Sequence, residues 1–263
     1  MQQTDKQNRL ALITGGSCGI GAEFARQLAS QGCDIIIVSR REETLIEMCE
    51  VIQNDFGVKA DYIIADLSDY KQTQSLAEKI KTLDNLEILV NNAGFGTQGE
   101  FLELPVKSHL DMLRVHCEAT VALTHSALPA MVNNRRGGVI NVSSVSAYMF
   151  GPEASMYCGT KAFLNAFSES VALEVKESGV TIQALCPGYT LTEFHQRLGI
   201  NLSKKALKHF MSAEEVVACS LRYFKRGRVI CIPGFGYKLI HLLIKIMPAS
   251  LMRRISRKRK KKE

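Results

Sequence analysis

Tryptophan is absent from the chain, proline is scarce at six of 263 residues, and no stretch rich in Pro, Gly and Ser marks a linker. The missing tryptophan excludes nothing. The missing linker and the lack of any internal repeat exclude a tandem arrangement, and this length fits one large domain. No Cys-x-x-Cys pair occurs: Cys18, Cys33, Cys49, Cys117, Cys158, Cys186, Cys219 and Cys231 are scattered and have no histidine at zinc-finger spacing. The expectation is reduced thiols and no metal site. The opening MQQTDKQNR is polar, with no apolar segment ahead of a cleavage site, so an intracellular, cytoplasmic protein is expected.

Net charge is also missing from the body of the chain. Residues 253–263 hold eight basic residues and one acidic one. Out of 33 basic and 26 acidic residues overall, that leaves 25 of each for residues 1–252. The net charge of +7 belongs to the tail. No nucleic-acid surface is expected of a neutral body.

What is present is 46% hydrophobic residues and 22% charged ones, an ordinary globular balance. Short apolar runs alternate with helical periodicity. Strands are expected at LALI from Leu10, at DIIIVS from Asp34, within VKADYIIADLS, at LEILVNNAG, at GGVINVSS and at VTIQALCPG. Between them come AEFARQLASQG, a charged helix over 42–56, YKQTQSLAEKIKTL, and a long helix through MYCGTKAFLNAFSESVALEVKESG. This alternation means an α/β fold, a doubly wound parallel sheet with helices on both faces.

The stretch TGGSCGIG follows the first strand and opens a helix. Gly15, Gly19 and Gly21, with Ser17, Cys18 and Ile20 between them, let backbone approach a pyrophosphate seated on a helix N-terminus. The second strand ends in Ser39-Arg40-Arg41, with no acid before Glu42. A carboxylate there would accept from a ribose hydroxyl, whereas a guanidinium binds a 2′-phosphate, so the reading is NADP rather than NAD. Asp66-Leu67 and Asn92-Ala93-Gly94 stand at the ends of the third and fourth strands, where open α/β sheets bind ligands.

At the other end of the site, Tyr157 and Lys161 are four residues apart on one helix face, and Ser144 lies thirteen residues before Tyr157. A free phenol has a pKa near 10. A neighbouring ammonium is expected to lower it, which would make Tyr157 an acid/base, Lys161 its tuner and ribose anchor, and Ser144 the group that orients a carbonyl.

In chain order, T-G-x-x-x-G-I-G, N-N-A-G, N-V-S-S, Y-x-x-x-K and P-G-x-x-x-T resemble the short-chain dehydrogenase/reductase family over residues 9–195. The resemblance implies a Rossmann-type, three-layer sheet of about seven strands, carbonyl/alcohol interconversion with NADP(H), and a homodimer or homotetramer. It also carries roles to Ser144, Tyr157 and Lys161, to the Gly15–Gly21 turn and Asn92, and to Pro187, Gly188, Thr190 and Thr192 beside the nicotinamide. One position departs from the family pattern: His116 stands where members carry an Asn whose backbone supports a proton relay. A histidine can hydrogen-bond and titrate.

The segment after Gly188 carries Phe194, Leu198, Ile200, Leu202, Leu207 and Phe210, which suits a lipophilic substrate such as a steroid, retinoid or acyl compound. The catalytic domain is read as residues 1–235. Residues 236–263 form an apolar and then basic extension, too short and too charged between Leu239 and Met247 to span a bilayer. That extension could make peripheral membrane contact or sit in solvent.

Overall fold

The computed structural model describes residues 9–193 and 210–259. Seven strands form one sheet: β1 (Leu10–Thr14), β2 (Asp34–Ser39), β3 (Ala60–Ile64), β4 (Leu86–Asn91), β5 (Gly138–Val142), β6 (Thr181–Leu185) and β9 (Ile230–Cys231). Their order is β3-β2-β1-β4-β5-β6-β9, and every pairing is parallel. A separate parallel pair joins β7 (Thr190–Leu191) to β8 (Met211–Ser212). All of β1 and β5 is buried, as expected when helices cover both faces of a sheet.

One face is covered by α1 (Gly19–Ala29), α2 (Glu42–Phe56) and α7 (Ala213–Phe224). The other carries α3 (Tyr70–Lys81), α5 (Ala119–Asn133) and α6 (Ser155–Glu174). The helix ends follow local chemistry. In α2, Leu45, Met48, Cys49 and Ile52 make the buried stripe, and Gly57 ends the helix in the left-handed conformation at φ +66°. Asp69 caps α3 by accepting from the Gln72 N–H, and Ser212 with Glu215 forms a capping box on α7. The helix α4 (Val106–Leu113) runs through a π-helical turn, Arg114–Glu118, into α5. Two further helices close the described chain, α8 (Phe235–Ile246) and α9 (Ala249–Arg259).

The six strands read from the sequence all form. The seventh, β9, is only two residues long and carries no periodicity to read. Winding reverses between β1 and β4, so their carboxyl ends open a crevice. Thr14, Ser39, Asp66, Asn92, Ser144 and Pro187 all stand at or just beyond strand ends on that edge.

Candidate active site

The glycine turn is held from below. Gly15 and Gly19 take φ of +63° and +56°, a region strained for residues with a Cβ. A Cβ on Gly21 would lie 2.2 Å from the Gly15 carbonyl oxygen, so α1 rests directly on the turn. The Asn92 amide donates to the carbonyls of Thr14 and Gly15 at 3.0 Å each. Thr14 Oγ1 accepts from the N–H groups of Asn92 and Ala93, both at 3.0 Å. Thr14 was not singled out in the sequence; its only signal there is its place as the last strand residue before the glycines. The first turn of α1 holds no acidic residue, so its positive end is not compensated by a carboxylate of its own. Thr192 lies against this turn, 3.2 Å from where a Gly19 Cβ would stand. Such backbone, with no room for side chains, fits a pyrophosphate.

Further along the edge, Ser17 and Ser39 share a hydroxyl hydrogen bond of 3.2 Å. Arg40 stands largely in solvent, with its guanidinium 3.7 Å from Asp66. Burial works against the Asp66 carboxylate, but hydrogen bonds from the Ser68 N–H and hydroxyl, together with Arg40, outweigh it and hold the pKa below the ordinary value. Arg41 is extended and heads α2. Glu42, the first acid after β2, accepts from the Tyr62 phenol at 3.1 Å. Ser39, Arg40 and Arg41 thus end β2 with no acid among them, and the carboxylate beside Arg40 is Asp66 from the end of β3. Leu67 is buried below, and Ile20 packs against the core.

Around the catalytic candidates, Ser144 is buried and its Oγ accepts from the Ser146 N–H at 3.1 Å. Its hydroxyl also acts on the Tyr157 phenol, whose pKa it pulls down. Lys161, 5% exposed, places its Nζ 5.7 Å from the Tyr157 ring centre and donates to the Val142 carbonyl at 2.8 Å. The expected lowering of the Tyr157 pKa is overturned. Burial pushes it up to about 12, with only the Ser144 hydroxyl pulling it down, and burial pushes Lys161 down to about 8. Both groups sit where the charged form is poorly solvated, and desolvation is the largest cause of each shift.

His116, in the π-helical turn, is 1% exposed. Its Nε2 accepts from the Phe95 N–H at 3.1 Å, which puts the ring proton on Nδ1, 2.9 Å from Thr160 Oγ1. Thr160 in turn donates to the Tyr157 carbonyl at 3.1 Å. Burial and the nearby Lys161 ammonium hold the His116 pKa well below 6.5. Its ring meets Tyr157 edge-on at 6.0 Å. A Cβ on Gly94 would come within 2.9 Å of His116 Nε2 and 3.6 Å of Lys161 Nζ, so the glycine of N-N-A-G gives these two side chains room. His116 is thus a neutral brace between the β4 loop and α6.

Pro187 accepts from the Val145 N–H at 3.0 Å, and Thr190 Oγ1 donates to the Gly188 carbonyl at 3.0 Å. The Tyr237 ring of α8 covers Gly188; a Cβ there would lie 2.2 Å from it. The Tyr237 hydroxyl accepts from the Tyr189 N–H at 3.0 Å. Tyr148 packs on His241 of α8 with ring centres 4.0 Å apart. Sequence reasoning missed both α8 residues, because nothing local marks a contact made across about fifty residues or more. Of the expected substrate lining, Phe210 stacks on Tyr189 at 5.1 Å. Phe194, Leu198, Ile200, Leu202 and Leu207 lie outside the described residues.

A family model, described as short chain dehydrogenase, matches residues 9–211. The chain belongs to the short-chain dehydrogenase family. This short-chain dehydrogenase is 34% identical over 187 residues to a very-long-chain 3-oxoacyl-CoA reductase of Laccaria bicolor, covering 68% of this chain and 54% of the relative. It is 32% identical over 240 residues to the 3-oxoacyl-[acyl-carrier-protein] reductase FabG of Aquifex aeolicus, covering 87% and 97%. It therefore spans little more than half the length of the first relative and nearly all of the second. A solved structure of a short-chain dehydrogenase from Sphingobium yanoikuyae in complex with NADPH superposes with a TM-score of 0.82 at 27% identity, covering 92% of this chain and 97% of that one.

Proposed function

We propose that this short-chain dehydrogenase is an NADP(H)-dependent oxidoreductase that interconverts a carbonyl and a secondary alcohol on a lipophilic substrate of acyl, steroid or retinoid type. The observation that carries the reading is the gathering of buried Ser144 and buried Lys161 around Tyr157, with the Lys161 Nζ 5.7 Å from its ring centre, on the same sheet edge as the glycine turn. The names of the two reductase relatives and the NADPH complex of the Sphingobium protein support it. Residues Gly15–Gly21 would hold the pyrophosphate, Arg40 the 2′-phosphate and Lys161 the nicotinamide ribose. Exposed Phe101, Leu102, Met149, Phe150 and Tyr189 on the loops after β4, β5 and β6 suit an apolar substrate. Homo-oligomers are general in the family, and a homodimer or homotetramer is part of this reading. So is a cytoplasmic protein meeting its substrate in solution or at a membrane surface.

When bound, NADPH supplies the hydride to the carbonyl carbon. Tyr157 holds its proton at neutral pH and would donate it to the carbonyl oxygen as negative charge develops there. Ser144 shares that oxygen as a second hydroxyl and steers the phenol. The Lys161 ammonium, close to the ring, stabilises the phenolate left behind. Both effects grow as water is excluded.

The test is Tyr157→Phe, which keeps the ring and removes the proton. Turnover over a panel of carbonyl compounds should fall by about 100-fold or more, while NADPH binding persists. Turnover retained within about tenfold would remove Tyr157 from the chemistry. A second reading, a dinucleotide-binding protein with little catalysis, draws on His116: both its nitrogens are engaged within the protein and it stays neutral. That reading expects tight NADPH binding and no turnover of any carbonyl in the panel.

A further inference from the structure

The helix α8 is apolar on two sides. Tyr237, His241 and Ile244 face inward, whereas Phe235, Leu239, Leu242 and Ile246 recur at i, i+4, i+7 and i+11 and form one outer stripe. These four are 83%, 47%, 56% and 72% exposed, and Leu243 beside them is 48% exposed. Lys245 stands beside the stripe, while Lys238 donates to the Tyr223 hydroxyl at 2.7 Å, and α9 continues with exposed Leu251, Arg253 and Arg254. The sequence then ends in a run that brings residues 253–263 to eight basic residues and one acidic. An apolar helix face of this size is ordinarily covered.

Three kinds of cover are separable on physical grounds. Spanning a bilayer is excluded for α8, whose 12 residues rise only about 18 Å against an apolar thickness of about 30 Å. A second copy meeting the same face would bring Lys245, Arg253 and Arg254 of both copies together. An anionic lipid surface satisfies both features at once: the stripe enters the acyl boundary and the cations meet the headgroups.

We propose that α8 and α9 dock this protein on an anionic membrane surface. The docking element is also tied to the substrate side of the site. Tyr237 covers Gly188, His241 packs on Tyr148, and Ser256 donates to the Phe150 carbonyl at 2.8 Å. Between α9 and this loop lies a cavity of about 600 Å³ lined by Met149, Phe150, Pro152, Ala162 and Arg253. A lipophilic substrate would thus be taken up from the lipid phase to which the protein is docked. That last step rests on the oxidoreductase reading; docking itself does not.

The experiment is co-sedimentation of the full chain with vesicles of phosphatidylcholine alone and with about 30 mol % phosphatidylserine added. The wild type should pellet only with the anionic vesicles and be released by about 0.5 M NaCl. Leu242→Glu with Ile246→Glu should abolish pelleting while NADPH binding and reduction of a water-soluble carbonyl persist. Replacing Arg253, Arg254, Arg257 and Lys258 by Gln should weaken it by about fivefold per charge. Absence of wild-type pelleting, or equal pelleting with neutral vesicles, would overturn the proposal. So would a wild type that ignores vesicles but falls from oligomer to monomer in the double Glu variant, because a second copy then covers the face. Pelleting without turnover of any carbonyl would leave docking standing and remove the oxidoreductase reading. Turnover without pelleting would do the reverse.

Discussion

Lys161 tests the electrostatic reasoning most directly, because its charge stands in an apolar place. Burial moves its pKa from an ordinary 10.5 to about 8. At about 1.36 kcal/mol per pH unit, the protonated side chain costs the fold about 3 kcal/mol at neutral pH. Lys161→Met keeps an unbranched stem of similar length and removes that cost. It also strips the Val142 carbonyl of its 2.8 Å donor, a loss of about 1 kcal/mol. The variant should therefore be about 2 kcal/mol more stable at pH 7, which raises Tm by about 4–8 °C in a chain of this size. The sign follows from proton counting. Between pH 8 and 10.5 the folded protein has released a proton that the unfolded chain still binds, so wild-type stability rises with pH across that window. The gap between variant and wild type should close by about pH 9.5. Calorimetry of both proteins without cofactor, at pH 7 and pH 9.5, measures it. A variant no more stable than wild type at pH 7, or a gap that ignores pH, would refute the assignment of a strained buried ammonium. Catalysis should fall in the same variant, so that stability and activity part company at one residue.

Other substitutions probe separate parts of the site. Arg40→Asp should weaken NADPH binding by about 100-fold while leaving NADH within a few-fold, by loss of a charge-assisted contact and gain of repulsion; equal weakening, measured by fluorescence titration, would contradict the phosphate assignment. His116→Leu strands the half-buried Phe95 N–H and should cost about 1 kcal/mol in urea unfolding at pH 7. Because the folded His116 pKa lies below its unfolded value, wild-type stability should fall as pH drops through 6.5, and the Leu variant should lose that part of the decline. A decline of equal size in both proteins would place the titration elsewhere. Gly188→Ala puts a methyl 2.2 Å from the Tyr237 ring and should destabilise by about 1–3 kcal/mol; faster hydrogen exchange confined to α8 would show that the ring was displaced.

Much of the layout was legible along the chain because parallel strands are continuous apolar runs and amphipathic helices have their own period. DIIIVS could be nothing but a buried strand, and the stretch 42–56 reads as α2 from its apolar spacing and the Gly57 stop. The glycine turn, Ser144 and the Tyr157–Lys161 pair were likewise readable, because they stand at strand ends or four residues apart on one helix. By contrast β9 was silent, since two residues hold no period and only the edge of β6 makes them a strand.

The sequence by itself determined the fold class, the candidate site residues to be tested and the absence of an acid among the residues that end β2, since each is a local pattern of residue type and spacing. Tertiary structure alone decided the charge states and the supports. The Tyr157 pKa depends on how much water remains around a phenol and an ammonium, which spacing does not encode, and here desolvation reversed the expected shift. His116 became a neutral brace because the β4 loop and α6 close on it from both sides. Tyr237 and His241 acquired their places only when α8 folded back over Gly188 and Tyr148.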